Sequence, residues 1–273
     1  GDHLVRHDDV DKVAFTGSTD VGRSIARQCG ELLRPVTLEL GGKSSAIILP
    51  DADLDVLRSV LIRSSLRNTG QTCYISTRIL VPDSRHDEIV EAIVQTVRAA
   101  PQGDPLDPAT VFGPAASAAQ QASVFAHIAS ARAQGARVAL GGGTPALAAP
   151  FDAGYFVEPT VLVDVTPSMD VARDEIFGPV LTVLRYSDVD EAIALANSTE
   201  FGLGGIVFGA DERAALQVAD RIDSGSVGIN FFASNHAAPF GGRRDSGLGV
   251  EYGPEGLHAY LTYKSIHRRA GQR

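Results

Sequence analysis

The sequence predicts an α/β fold built on a mostly parallel sheet. Three observations point there. Short β-rich runs alternate with segments of helical periodicity along the whole chain, the order expected of βαβ units. Glycine or proline marks most of the junctions between them. No internal repeat, low-complexity tract or apolar run of the ~20 residues that a membrane span needs interrupts the pattern. At 273 residues the chain is long enough for one large or two ordinary domains with a sizeable core.

Taken in order, "KVAFTG" (Lys12 to Gly17) is a short apolar run closed by a turn signal. "STDVGRSIARQCG" follows as a helix, with Ser18 or Thr19 as its N-cap and Gly30 as its stop. "PVTLEL" and "SSAIILP" read as strands separated by Gly41 and Gly42. From Asp53 the apolar positions Leu54, Leu57 and Leu61 recur at helical spacing, and this helix is expected to end near Asn68-Thr69-Gly70. "TRILVP" is a strand, and Arg85 to Ala99 a helix that turns Ile89, Val90, Ile93, Val94 and Val97 to one side. The proline-rich "PQGDPLDPATVFGP" is expected to be an ordered crossing. A helix over 117–134, a strand "ARVAL" and a surface loop "GGGTPALAAPFDAG" come next. In the last hundred residues "VLTVLRY", "GGIVFG" and "GSVGIN" are strands, "DVDEAIALANS" and "ERAALQVADRI" helices, and "PFGGRRDSGLG" a glycine-rich loop.

Composition narrows the function classes. The chain is 44% hydrophobic and 21% charged with a net charge of −9, which argues against a nucleic-acid or acidic-membrane partner. The locally basic end, "HRRAGQR", is expected to be a solvated terminus. Two cysteines make no disulfide framework, so a reducing compartment, and with it a cytoplasmic location, is expected. The chain opens on the polar "GDHLVRHDD", where no signal peptide is expected. It starts at Gly1 and its single methionine is Met169, so its natural beginning is expected elsewhere.

Several chemistries find no support. The seven histidines are scattered without an HExxH or paired CxxC, and no metal site is expected; His3 and His7 read as a terminal polar pair. "LELGGKS" ends like a phosphate loop, but Thr37 stands where that loop needs glycine. No G-x-S-x-G occurs. "GSTDVG", Gly17 to Gly22, follows a strand and opens a helix, so its backbone N–H groups suit a phosphate or pyrophosphate; the same turn also occurs without a ligand. Cys29, late in that helix, reads as a small buried apolar residue. Cys73 differs. In "RNTGQTCYISTR" it follows a helix end beside Gly70, Gln71 and Thr72, where backbone groups are free to meet a substrate. It is either a buried thiol or a thiolate nucleophile, which needs a lowered pKa and a base close by. Glu39 is the partner candidate, a carboxylate ending an otherwise apolar strand, unless it points to solvent.

Six motifs, "FTGSTDVG", "LELGGKS", "NTGQTC", "EIFGPVL", "GSVGIN" and "PFGGRRDSGLG", occur in the order and spacing of the NAD(P)-dependent aldehyde dehydrogenase superfamily. The chain resembles the C-terminal part of that family over essentially its whole length. The resemblance implies that Cys73 is the nucleophile, forming a thiohemiacetal and then a thioester, and that Glu39 activates the water that hydrolyses it. It implies a cofactor, NAD or NADP, with Gly17, Ser18 and Gly22 at the turn and helix start under the pyrophosphate. Glu175 resembles the carboxylate that accepts from the nicotinamide ribose, Phe177 the aromatic that flanks the nicotinamide, and Leu40 the residue whose backbone approaches the carboxamide. Without the resemblance Glu175 reads as a surface carboxylate.

The fold implied is a remnant of a Rossmann-type cofactor domain over 1–40, a catalytic domain over 41–249, and a C-terminal helix and oligomerisation arm over 250–273. The arm, "YLTYKSIHRR", implies a homo-oligomer, because in the family it ends in a strand paired with a neighbouring subunit. Two departures stand out. Tyr74 and Ile75 are larger than the residues many members carry after the cysteine. Roughly the first half of the family's chain, with its oxyanion-stabilising asparagine and the lysine that reads the adenine ribose, has no counterpart; the N–H of Cys73 remains as an oxyanion donor, and losing one such donor typically costs ~10²–10³ in rate. Three readings follow: an aldehyde dehydrogenase catalytic part acting on a small-molecule aldehyde, a non-catalytic fragment of one, and a cofactor-independent thiol esterase needing only Cys73 and Glu39.

Overall fold

The computed structural model describes residues 1–271; the last two residues of the basic tail lie outside the described residues. A short helix α1 (Asp2–Arg6) leads into β1 (Val13–Thr16), α2 (Thr19–Glu31) and β2 (Val36–Glu39). β1 and β2 pair in parallel, with Phe15 opposite Leu38 and Thr16 opposite Glu39. Val5, Ile25, Cys29, Leu38 and Leu40 form the small core beneath them, so Cys29 packs as the sequence leads one to expect. The helix outlasts its expected stop. Gly30 sits inside α2, and the chain turns at Leu33, left-handed at φ 51°. The turn is closed by Arg34 N–H donating to Cys29 O, and Leu33 is left 92% exposed.

The chain then enters a larger sheet through β3 (Ser45–Ile48), α3 (Leu54–Ser65), β4 (Arg78–Pro82), α4 (His86–Ala99), α5 (Ala118–Ala133), β5 (Arg137–Leu140), β6 (Thr160–Val163), α6 (Asp170–Arg173) and β7 (Val180–Tyr186). It continues through α7 (Val189–Ala196), β8 (Phe201–Gly202), β9 (Gly205–Phe208), α8 (Glu212–Asp220), β10 (Gly228–Ile229), β11 (Arg243–Arg244), β12 (Gly247–Leu248) and α9 (Gly253–His258). The strand order is β10-β9-β3-β4-β7-β6-β5, parallel except for the edge strand β5, which runs against β6. The predicted mostly parallel α/β architecture is therefore the observed one.

Burial on both faces explains why the strands are continuous apolar runs rather than alternating ones. One face carries Leu57 and Leu61 of α3 and Ile89, Ile93 and Val97 of α4. The other carries Val124 and Ile128 of α5 with Ala192 and Ile193 of α7. Truncating a fully buried member such as Ile93 to alanine costs about 2–5 kcal/mol on the usual scale for such sites. The proline-rich segment is ordered, as expected: Phe112 is fully buried, and its carbonyl accepts from Gly103 N–H.

Three details depart from the sequence reading. The strand expected over "GSVGIN" shrinks to Gly228–Ile229, and the left-handed Asn230, at φ 52°, ends it. The buried strand Thr160–Val163 was not foreseen, although its β-branched run "TVLV" carries the signal. The loop "PFGGRRDSGLG" holds two short strands: β11 pairs with β8, and β12 returns antiparallel to β2, setting Gly247 opposite Glu39.

Candidate active site

The two sheets face each other end to end. Thr16 ends β1, Gly17 follows it and Leu40 follows β2, at the carboxyl ends where parallel sheets bind ligands. Gly41 and Gly42 precede β3, Cys73 precedes β4, and Glu175 and Phe177 precede β7, at the amino ends of the larger sheet. Between them lies a cleft of about 540 Å³ lined by Gly17, Ser18, Leu40, Cys73, Glu175 and Phe177. Six of the eight residues singled out in the sequence thus share one cavity, of a size that suits a small ligand.

The other two lie behind its walls. Gly22 faces the Leu40 side chain so closely that a Cβ would fall 2.4 Å from a leucine methyl, which places it in helix-to-sheet packing. Glu39 is 2% exposed and neither carboxylate oxygen has a hydrogen-bond partner among the described residues. Burial, with the charge of Glu251 added, raises its pKa to about 8. Glu251 was not anticipated. It follows the glycine-rich loop and is held at the site by paired hydrogen bonds with the backbone of Phe240.

The loop that presents Cys73 is tightly built. After α3, Asn68, Thr69 and Gly70 are left-handed at φ 53°, 57° and 76°. Gly70 must be glycine, since a Cβ there would meet Gly178 O at 1.9 Å. Thr69 Oγ1 accepts from Gly113 N–H at 2.9 Å, and Gln71 Oε1 accepts from Ala116 N–H at 2.8 Å. Gly42 allows the backbone of Cys73 to approach, because a Cβ would fall 2.3 Å from Cys73 O. Burial raises the Cys73 pKa to about 11, with Glu175 and more weakly Glu39 adding to it; the N–H groups of Cys73 and Tyr74 pull the other way.

Glu175 and Phe177 form the opposite wall. Glu175 Oε1 accepts from Gly42 N–H at 2.9 Å. Phe177 is left-handed at φ 52° and 38% exposed over the cleft. Gln120, in the first turn of α5, donates from Nε2 to the carbonyls of Ile176 and Phe177, at 3.0 and 2.9 Å. Gln120 and Ser123 line the cleft and were missed in the sequence, where the helix was readable but the direction of its first turn was not. Ser18 caps α2 by backbone conformation while its side chain makes no capping bond. Its hydroxyl and the α2 amides are therefore open to an anion.

A match to the family model described as "Aldehyde dehydrogenase family" spans residues 1–266. The chain belongs to the aldehyde dehydrogenase family. It is 52% identical to the geranial dehydrogenase of Castellaniella defragrans over 267 residues, covering 98% of this chain and 55% of that protein. It is 43% identical to the betaine aldehyde dehydrogenase of Brucella melitensis biotype 2, covering all of this chain and 56% of that one. Among solved structures, the Mycobacterium tuberculosis aldehyde dehydrogenase complexed with NAD+ superposes with a TM-score of 0.95 at 43% identity, over 100% of this chain and 56% of that chain. The chain therefore spans about half the length of the aldehyde dehydrogenases it matches.

Proposed function

We propose that this chain carries the thiol-dependent catalytic part of an enzyme that oxidises an aldehyde to a carboxylic acid with NAD or NADP. The observation that carries the reading is the shared cleft: Cys73, Glu175, Phe177 and the Gly17–Ser18 turn line one cavity, and Glu39 is buried behind it with neither oxygen hydrogen-bonded among the described residues. The cavity fits the nicotinamide end of the cofactor. Glu175 accepts at Oε1 from Gly42 N–H and at Oε2 from no group among the described residues, so Oε2 can accept a ribose hydroxyl; Phe177 offers a ring to a planar heterocycle, and the start of α2 offers amides to a pyrophosphate. NAD(P) supplies a hydride acceptor when bound.

The Cys73 sulfur, once deprotonated, attacks the aldehyde carbon; a C–S bond forms, the carbonyl π bond opens, and the product is a thiohemiacetal. Cys73 N–H is the donor this chain offers to the oxyanion. Loss of hydride from that carbon restores the carbonyl and leaves a thioester on Cys73. Glu39 takes a proton from water, the hydroxide adds to the acyl carbon, and the C–S bond breaks to release the acid and the thiolate. With its pKa near 8, Glu39 is a stronger base than an ordinary carboxylate once ionised.

An aldehyde with an apolar body suits the walls beside Cys73. Tyr74 packs against Phe232 with ring centroids 5.4 Å apart and against Phe240 at 6.0 Å, and Phe232 and Phe240 help line a second cavity of about 330 Å³. A neighbouring domain boundary near Leu40 and association through the C-terminal arm belong to the same reading.

The test is reduced-nicotinamide formation by the purified chain, with NAD and with NADP, over short and aromatic aldehydes beside Cys73→Ala. Signal lost in Cys73→Ala supports the reading. Cys73-dependent ester hydrolysis with no reduced nicotinamide under any condition would replace it with the cofactor-independent esterase.

A further inference from the structure

We propose that Ser246 is a positioning residue for the cofactor wall of this cleft: its buried hydroxyl sets the plane of the Gly41–Gly42 peptide, and that peptide holds Glu175. The role rests on the reading of Glu175 as the carboxylate that receives the cofactor's ribose.

Ser246 joins β11 to β12 and is fully buried. Its Oγ accepts from Gly202 N–H at 3.0 Å and lies 2.7 Å from Gly41 O. An amide N–H can only donate and a carbonyl can only accept, so the hydroxyl proton points at Gly41 O. No other donor reaches that carbonyl among the described residues. The Gly41–Gly42 peptide is trans, and in a planar trans peptide the C=O and N–H point in opposite directions. Holding the carbonyl toward Ser246 therefore aims Gly42 N–H the other way, where Glu175 Oε1 accepts it at 2.9 Å. Gly202 N–H, the Ser246 hydroxyl, the Gly41–Gly42 peptide and Glu175 form one directional chain. In a buried site each bond of such a chain polarises the next.

The ledge cannot fix this peptide by itself. A Cβ at Gly41 would stand 2.8 Å from Glu175 Oε2, and one at Gly42 would fall 2.3 Å from Cys73 O. Both positions therefore lack side chains, and glycine leaves the backbone its widest freedom of rotation. The orientation has to come from outside, and Ser246 supplies it. Ser246 is in turn held by its own backbone: its carbonyl accepts from Leu40 N–H at 2.9 Å, and its N–H donates to Arg243 O at 3.1 Å. Asp245, just before it, pairs with Arg23 at 2.6 Å and accepts at its carbonyl from Thr19 Oγ1 at 3.1 Å. The segment is thus anchored on the start of α2 as well as on the ledge.

The experiment follows backbone amide signals of the full chain, labelled with ¹⁵N and free of nucleotide. Glu175→Gln identifies the Gly42 amide, because a carboxylate acceptor holds that proton more strongly than a neutral one. In Ser246→Ala the Gly42 amide is expected to move upfield and to exchange with solvent about tenfold faster. Leu40 N–H, bonded to the Ser246 backbone, should keep its shift and rate; a merely structural serine would move both. Ser246→Cys keeps a weaker donor at the site and should give the same change at smaller size, so the test stands if Ser246→Ala does not fold. A second arm measures NAD binding by calorimetry. Ser246→Ala should raise the Kd about tenfold and add nothing to the rise in Glu175→Gln, since both act through one carboxylate. An unmoved Gly42 amide, or losses that multiply in the double variant, overturns the proposal and leaves the reading of Glu175 intact. NAD binding that is absent, or unchanged in Glu175→Gln, overturns that reading, and the positioning role with it.

Discussion

At the scale of single residues, the cleft is governed by carboxylates held out of water near a thiol. Cys73 has its pKa raised to about 11 by burial first and by Glu175 next, so in the free chain it is a thiol at neutral pH. Below that pKa the thiolate fraction grows about tenfold per pH unit. Alkylation of Cys73 by iodoacetamide should therefore accelerate nearly tenfold from pH 7 to 8 and again to 9 without a plateau, and Glu175→Gln should be faster than wild type at pH 8. A plateau already reached at pH 7 would contradict this. Glu39 gives a stability signature. Its folded pKa of about 8 lies above the unfolded value near 4.5, so the stability it contributes is complete below the unfolded value and is lost as pH rises through 8. Glu39→Gln carries no such penalty. The difference in Tm between Glu39→Gln and wild type should widen in favour of the variant from pH 5 to pH 9, measured by calorimetry. Residues of this kind were legible in the sequence only where the residue type was out of place, as with a carboxylate closing an apolar strand. Glu251 has no such local mark, because its significance comes from Glu39, a neighbour far along the chain.

At the scale of elements, the loops before β4 and β7 are interlocked. Three successive left-handed residues, Asn68, Thr69 and Gly70, bring the Cys73 loop against the turn containing Phe177 and Gly178. Such conformations cost non-glycine residues about 1–2 kcal/mol each, and here Thr69 Oγ1, Gln71 and Gln120 supply the hydrogen bonds that hold both loops in place. Gly70→Ala should add a left-handed penalty of the same size to a collision with Gly178 O. For a chain this long each kcal/mol lowers Tm by about 2–4 °C, so a fall of several degrees is expected in thermal unfolding. Faster amide exchange should appear at Gly178 as well as around Cys73. Exchange confined to the Cys73 loop would show that the loops move independently. The strands and long helices could be read from period and length because each buries a whole face. The two-residue strands β11 and β12 could not, since a glycine-rich loop has no period; their pairing is fixed by β8 and β2, distant in sequence. The end of α2 was misread for a related reason: a glycine announces a stop, but Leu33 takes the left-handed position three residues later.

At the scale of the molecule, the parallel sheet and its two apolar faces were predictable, whereas the cleft was not, because its walls come from segments around residues 17, 40, 73, 120 and 175 that meet only when the two sheets pack end to end. The same packing leaves the C-terminal arm outside both cores. Beyond α9, Tyr260, Leu261, Tyr263 and Ile266 are exposed, Tyr263 by 91% and Ile266 by 81%, and residues 261–269 adopt no helix or strand. The sequence resemblance leads one to expect a strand here, and a strand needs an edge to pair with. A segment with exposed apolar side chains and no helix or strand of its own is suited to adding to a sheet edge of a second copy, where backbone hydrogen bonds and buried side chains act together. The chain is therefore expected to self-associate through 260–266. Burial of apolar surface would drive this, so association should persist as salt is raised, unlike an ion-paired contact. Sedimentation equilibrium over a range of concentrations is the measurement. Wild type should show a concentration-dependent rise in mass, and Leu261→Asp with Ile266→Asp, both at exposed positions and so harmless to the fold, should shift the chain toward monomer. An unchanged association in that double variant would move the contact elsewhere, to the exposed Leu4 and Leu33 around α1 and the end of α2.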